Sequence, residues 1–327
     1  MDHTPRGGAA WQLHPICASA VRRLLLLAAP VLFSAELLLG PAGLDWGIVG
    51  AVRLPRALGA AVSGALLGMS GLLLQTSLRN PLADPYVLGV SGTAMLAALG
   101  SYLLWRLWGL PYVGYFLGAV VGAAVVIVGL TTLARRASLF VVLMVGILVS
   151  FVTGAALQLA LLLLPPEELG YIYLGLQGNY GAYPPGLLGW AVAGASVVLL
   201  ATVYLNSRHI SALVHGEEAA AGLGVNVRRV SALVVAAASA GAGLAVASVG
   251  PVGFVGLLAP HMARWAAGSH RVDKILFDAA AMGAVLSLGA DLAMRLLLPR
   301  DVPANVVLSI VGAPAAALLM WRYVRRV

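Results

Sequence analysis

The chain has 327 residues, of which 61% are hydrophobic and only 10% charged, with a formal net charge of +8. A soluble domain ordinarily carries about 25% charged residues. With a mean hydropathy of +0.96 and apolar runs of roughly 20 residues, a soluble enzyme is excluded and a bilayer protein indicated. Alternating strands are not visible, which excludes an outer-membrane barrel.

The charged residues exclude more. The one lysine, Lys274, is preceded by Asp273 and followed by Ile275, so there is no Gly-Lys-Ser/Thr phosphate loop. If ATP drives this chain, another subunit binds it. The arginines stand singly or in pairs at the ends of apolar runs, which is a topological bias and not a nucleic-acid stripe. A single cysteine, Cys17, can form neither an intrachain disulfide nor a sulfur-rich metal site.

In chain order, residues 1–20 are small, polar and proline-bearing and read as a mobile arm; residues 21–327 form one transmembrane domain. The apolar segments are 24–39, 57–74, 87–105, 112–133, 139–164, 187–205, 230–249, 254–265, 275–298 and 306–323. The eighth is too short to span at about 1.5 Å per residue. It reads as a short irregular helix entered through Gly250-Pro251-Val252-Gly253. With both termini cytoplasmic, fifteen basic residues fall inside and five outside: Arg53, Arg56, Arg106, Arg295 and Arg300. That asymmetry supports an all-α fold of ten transmembrane helices.

Four stretches carry specific expectations. The Gly64, Gly68 and Gly71 face predicts close helix packing within one subunit, with dimer formation as the other reading. The segment Gln75–Tyr86, with Pro81 and Pro85, predicts a structured polar turn at the cytoplasmic mouth. Residues 215–224 predict a helix of about two turns, docked either on its own bundle or on a partner. Residues 250–261 place irregular backbone at membrane depth, which is tolerated only inside protein or beside a cavity. His261 there reads as a helix cap ahead of a ligand, and Asp291 as the i,i+4 partner of Arg295 ahead of a functional carboxylate.

At these residues the sequence resembles the FecCD-type permeases of bacterial ABC importers, which bring in ferric siderophores, haem and cobalamin. The matching stretches are Arg53-Leu-Pro-Arg56, Ser70–Gln75, Asn80-Pro-Leu-Ala-Asp-Pro85 with Leu88-Gly-Val-Ser91, Glu217–Gly224, Gly250–Arg264 and Gly312-Ala-Pro314. The resemblance implies a homodimer in the bacterial inner membrane, contacted by lipid. Two ATPase subunits holding ATP and magnesium lie below it, and a periplasmic substrate-binding protein above. It also implies a cytoplasmic gate at Asn80, Leu82, Ser138 and Leu139. Coupling to the ATPase falls to Glu217, Glu218, Ala221, Leu223 and Gly224, and docking of the binding protein to Arg53, Arg56 and Arg295. This chain would hold no cofactor or metal and do no bond chemistry.

Two other classes compete. A proton-coupled secondary transporter would use Asp291 as its relay. An intramembrane enzyme would need a His-Glu-x-x-His motif or a nucleophile elbow, and neither is present. The tyrosines of the outer connection, Tyr171, Tyr173, Tyr180 and Tyr183, read as an interfacial belt, with stacking on a planar cargo as the alternative.

Overall fold

A computed structural model describes residues 15–40, 43–110, 114–297 and 302–324. Expectations for residues 1–14, Arg300 and Asp301 lie outside the described residues. No strand occurs among those described. The helices are α1 (Pro15–Leu38), α2 (Trp46–Ile48), α3 (Leu54–Ser77), α4 (Val90–Trp108), α5 (Gly114–Ala134), α6 (Leu139–Leu161), α7 (Pro166–Gly175), α8 (Gly186–Ala212), α9 (Glu217–Gly222), α10 (Val227–Val249), α11 (Val255–Ala267), α12 (Val272–Leu297) and α13 (Ala304–Val324). A π-helical turn, Val49–Arg53, leads into α3, and a 3-10 turn, Pro85–Leu88, leads into α4.

Among the described residues, six stretches are long and apolar enough to cross a membrane: Trp46–Ser77, Gly114–Ala134, Leu139–Leu161, Gly186–His215, Val227–Val249 and Val272–Leu297. Helix α1 begins at Pro15, so it takes in residues the sequence reading assigned to the arm. Helix α11 has 13 residues, about 20 Å of rise, and falls short of a bilayer core.

Helix α3 is the axis of the bundle. Its apolar window is 78% buried, as is that of α10, against 22% for α6 and for α8. Small residues make this possible. A methyl group on Gly64, Gly68 or Gly71 would overlap the carbonyls of Gly283, Ala279 and Gly256 respectively. The glycine face therefore brings α12 and α11 into backbone contact with α3, inside one chain. Ion pairs add register at both ends of α12. At the arginine-rich end, Arg22 of α1 binds the buried Asp278 at 3.0–3.1 Å.

Candidate functional site

Three features build the site. Helix α9 and the turn after α3 lie at the arginine-rich end of the bundle, the cytoplasmic end by the charge rule, and the break before α11, at the far end of α10, is tied to them through Tyr86 and α11. The first is the turn after α3. Its Asn80 side chain accepts from the backbone N–H of Leu82 at 2.9 Å, and the Asn80 carbonyl accepts from Ala83. Asp84 then caps the 3-10 turn by accepting from the Tyr86 N–H at 2.8 Å. Pro81 follows the end of α3 and Pro85 opens the 3-10 turn, and these short polar side chains satisfy donors that the turns leave free. Asn80 is exposed and Leu82 is 37% exposed.

The second feature is the break before α11. Gly250 (φ 79°) and Phe254 (φ 65°) both lie in the left-handed region, which a bulky side chain adopts only under constraint. The constraint is visible. The Val252 N–H donates to the Tyr86 hydroxyl at 2.8 Å, and the Gly253 N–H donates to Asn305 at 3.0 Å. Pro260 has no N–H to give the Gly256 carbonyl. The Gln75 amide reaches that carbonyl at 3.4 Å and the Leu257 carbonyl at 3.1 Å. The other end of Gln75 accepts from Arg264 at 2.6 Å. Gln75, which also donates to the Ala83 carbonyl, thus joins α3, the Asn80 turn and α11 into one polar node. His261 bonds the Leu257 carbonyl through Nδ1 at 2.8 Å, inside α11.

The third feature is α9. Ala220 is fully buried against the bundle, while Glu217, Glu218, Ala221, Leu223 and Gly224 are exposed, Leu223 by 70%. At its N-cap, Gly216 has φ 102°, and a Cβ there would stand 3.1 Å from Nη1 of Arg79. The start of α9 therefore abuts the residue that opens the Asn80 turn. Ser138 is the exposed N-cap of α6, and Leu139 is buried. The Leu88 backbone of the 3-10 turn lies against Gly146 of α6. Burial, with Arg264 nearby, holds the His270 imidazole below its ordinary value.

At the opposite end the arginines face inward. Arg53 is 3% exposed and donates to the carbonyls of Leu37, Leu38 and Gly43. Arg56 holds Asp291 with Nε and Nη2 at 2.9–3.0 Å. Arg295 pairs with Glu36 at 2.7 Å and also donates to its backbone carbonyl. This corrects the expected Asp291–Arg295 pair: α12 presents Asp291 to α3 and Arg295 to α1. Glu36 was missed. Its signal was available, because a carboxylate inside an apolar run requires a cation.

Tyr180 and Tyr183 are 1% and 2% exposed, packed where α3 has Gly59 instead of a side chain. Tyr183 donates to the Gly189 carbonyl at 2.7 Å. They are core residues, and neither the belt nor the stacking reading applies to them; Tyr173 is half-exposed. No group of three metal-binding side chains occurs among the described residues.

Comparison with known proteins bears on this arrangement. The vitamin B12 import system permease protein BtuC of Vibrio vulnificus is 33% identical over 312 residues, 92% of this chain and 91% of that one. The hemin transport system permease protein HmuU of Yersinia pestis is 33% identical over 287 residues, covering 85% and 84%. The ferric enterobactin transport system permease protein FepD of Escherichia coli is 32% identical over 293 residues, covering 86% and 84%. A solved metal-chelate type ABC transporter in an inward-facing conformation superposes with a TM-score of 0.82 over 94% of this chain and all of that one, at 24% identity. These relatives are permease subunits, which move a solute without making or breaking its bonds. Residues 24–322 match the FecCD transport family, and the chain belongs to it.

Proposed function

We propose that this chain is the membrane subunit of an ATP-driven importer, ten spans with both termini cytoplasmic, working as a homodimer in a bacterial inner membrane. Two ATPase subunits sit beneath it and a substrate-binding protein delivers cargo from outside. The cargo class is a large metal chelate: haem or a ferric siderophore first, a corrinoid next. The names of the relatives, which cover vitamin B12, hemin and ferric enterobactin, support the class and divide over its members.

The observation that carries the reading is the contact between α9 and the gate turn. A helix of six residues cannot be stable alone. This one buries Ala220 and leaves its acidic and apolar outer face, with Leu223, for a partner. Its N-cap abuts Arg79, one residue before Asn80. A push on α9 therefore reaches the Asn80–Leu82 turn directly, and through Tyr86 and Gln75 the strained entry to α11. Asn80, Leu82, Ser138 and Leu139 form the inner constriction in this scheme. The binding protein docks over the outer ends of α1, α3 and α12. There Arg53, Arg56 and Arg295 fix the shape of the surface, since their guanidiniums are engaged within the chain.

The competing proton-coupled carrier is poorly supported. Asp291 is fully buried and held by two nitrogens of Arg56. A relay must exchange its proton with water, and this carboxylate balances a fixed cation. The deciding experiment is uptake into proteoliposomes holding the chain, its cognate ATPase and its binding protein, offered haem, a ferric siderophore and cobalamin. Uptake that requires ATP and the binding protein supports the proposal. Uptake driven by a proton gradient without ATP overturns it.

A further inference from the structure

A cleft of about 600 Å³ opens between α5 and α10 at the arginine-rich end, headed by Arg135, Arg228 and Arg229 and continuing past Thr131 to Leu233 and Ala236. A second, of about 210 Å³, adjoins it through Arg228 and is lined by Arg136, Ser231 and Glu217. Four guanidiniums thus face one carboxylate. None of the four has a hydrogen bond or ion pair among the described residues, whereas Arg22, Arg56, Arg264, Arg271 and Arg295 all do.

Two hydroxyls in the walls are also unpartnered. Ser231 is 3% exposed and its Oγ has no hydrogen-bond partner, and the Oγ1 of Thr131 is buried in the same condition. Each keeps a donor available to an acceptor that enters beside it. The helix end is otherwise engaged: Asn226 already caps α10 by accepting from the Arg229 N–H at 3.1 Å.

Charge alone would fit an acidic protein surface. Depth decides against it. From Arg229 to Ala236 is seven residues, about 10 Å along α10. The cleft runs from the interfacial arginines into the apolar zone, where its walls become Ala232, Leu233 and Ala236. We infer that this cleft is a site for one anionic phospholipid. Its headgroup phosphate is bound by Arg135, Arg228 and Arg229 with the Thr131 hydroxyl, and an acyl chain lies along Leu233 and Ala236. Basic pockets between helices on the cytoplasmic side are suited to such headgroups. The site goes beyond the permease reading and rests only on its membrane orientation.

The test uses the purified full-length chain, stripped of lipid and titrated in detergent with phosphatidylglycerol or phosphatidylcholine, with bound lipid counted by native mass spectrometry. The wild type is expected to retain phosphatidylglycerol selectively, one per chain. Arg228→Gln/Arg229→Gln weakens it roughly thirtyfold, since each basic residue near the surface contributes about a factor of five. Ala236→Phe keeps every charge, fills the apolar limb and also loses the lipid. Excess inorganic phosphate leaves the lipid in place. Equal phosphatidylglycerol binding by the wild type and the double variant overturns the site. So does a double variant that keeps its lipid but no longer co-purifies with the ATPase, because the arginines then serve a protein contact. Displacement by inorganic phosphate, or an unaffected Ala236→Phe, reduces the site to a free-phosphate one and overturns the lipid assignment. Flotation with phosphatidylcholine vesicles is scored in parallel. A chain that fails to float overturns the membrane reading itself.

Discussion

Replacing Arg56 with Gln removes the cation from a carboxylate that has no access to water. Asp291 is fully buried, and Arg56 supplies it with contacts of 2.9–3.0 Å through Nε and Nη2. Breaking a buried pair from one side costs about 3–5 kcal/mol, because an uncompensated charge stays behind. The reverse change, Asp291→Asn, leaves a guanidinium whose side chain is 12% exposed near the outer end of α3. That group reaches water by a small shift, so about 1–3 kcal/mol is expected there. The double variant should resemble Asp291→Asn alone, so the coupling equals in size the Arg56→Gln cost, about 3–5 kcal/mol. The assay is a double-mutant cycle on the unfolding of the purified chain in mixed micelles, followed by helical circular dichroism. If Arg56→Gln lies within about 0.5 kcal/mol of wild type, the level of an ordinary surface change, the buried-pair argument fails. If that same variant stays stable yet loses its binding protein, Arg56 serves docking and not the bundle.

Three further outcomes are expected. Gly68→Leu drives a side chain into the Ala279 carbonyl and lowers the thermal midpoint sharply; Gly129→Ala, with open space around its Cβ, leaves it unchanged. Gly216→Ala forces a methyl group into a backbone conformation nearly restricted to glycine and towards Arg79. It should reduce transport per ATP hydrolysed in proteoliposomes while assembly with the ATPase persists; normal coupling would separate α9 from the gate. Leu223→Asp puts a charge on the exposed outer face of α9 and should abolish co-purification with the ATPase without altering the fold.

The helices were legible because hydropathy is a local property. Each apolar segment falls in or against a helix, and even the short α11 follows from Pro251, Pro260 and the glycines around them. The glycine face was legible as a close-packing face, and the approach to Gly283 and Ala279 shows it packing within the chain. Partner choice was not legible. Arg56 and Asp291 are separated by 235 positions, Glu36 and Arg295 by 259, and Gln75 and Arg264 by 189. Local spacing offered Arg295 to Asp291. That pairing would have left Arg56 to Glu36. Two acids and two arginines at one depth admit two pairings, and only the orientation of α12 between α1 and α3 selects one. Tyr180 and Tyr183 illustrate the same limit: their burial depends on Gly59, more than a hundred residues away.

The placement of polar groups separates a fixed part of the molecule from a part able to move. Helices α1, α3 and α12 are joined by close backbone contact and by ion pairs at both ends, Arg22–Asp278 at one and Arg56–Asp291 with Arg295–Glu36 at the other. Shifting any of them exposes a charge to hydrocarbon. The Asn80 turn and the Gly250–Phe254 break are held differently, by hydrogen bonds with backbone groups: Tyr86 and Asn305 accept from the Val252 and Gly253 N–H groups, and Gln75 donates to the Ala83 and Leu257 carbonyls. Each such bond contributes about 0.5–1.5 kcal/mol net and can be exchanged for another. On the proposed reading, conformational work delivered at α9 would be absorbed by the turn and the α11 entry before it disturbed the charged frame. The strain stored at Phe254 is consistent with that division, because left-handed geometry in a non-glycine residue persists only where neighbours enforce it. Here the neighbours are the donors and acceptors that a moving gate would rearrange.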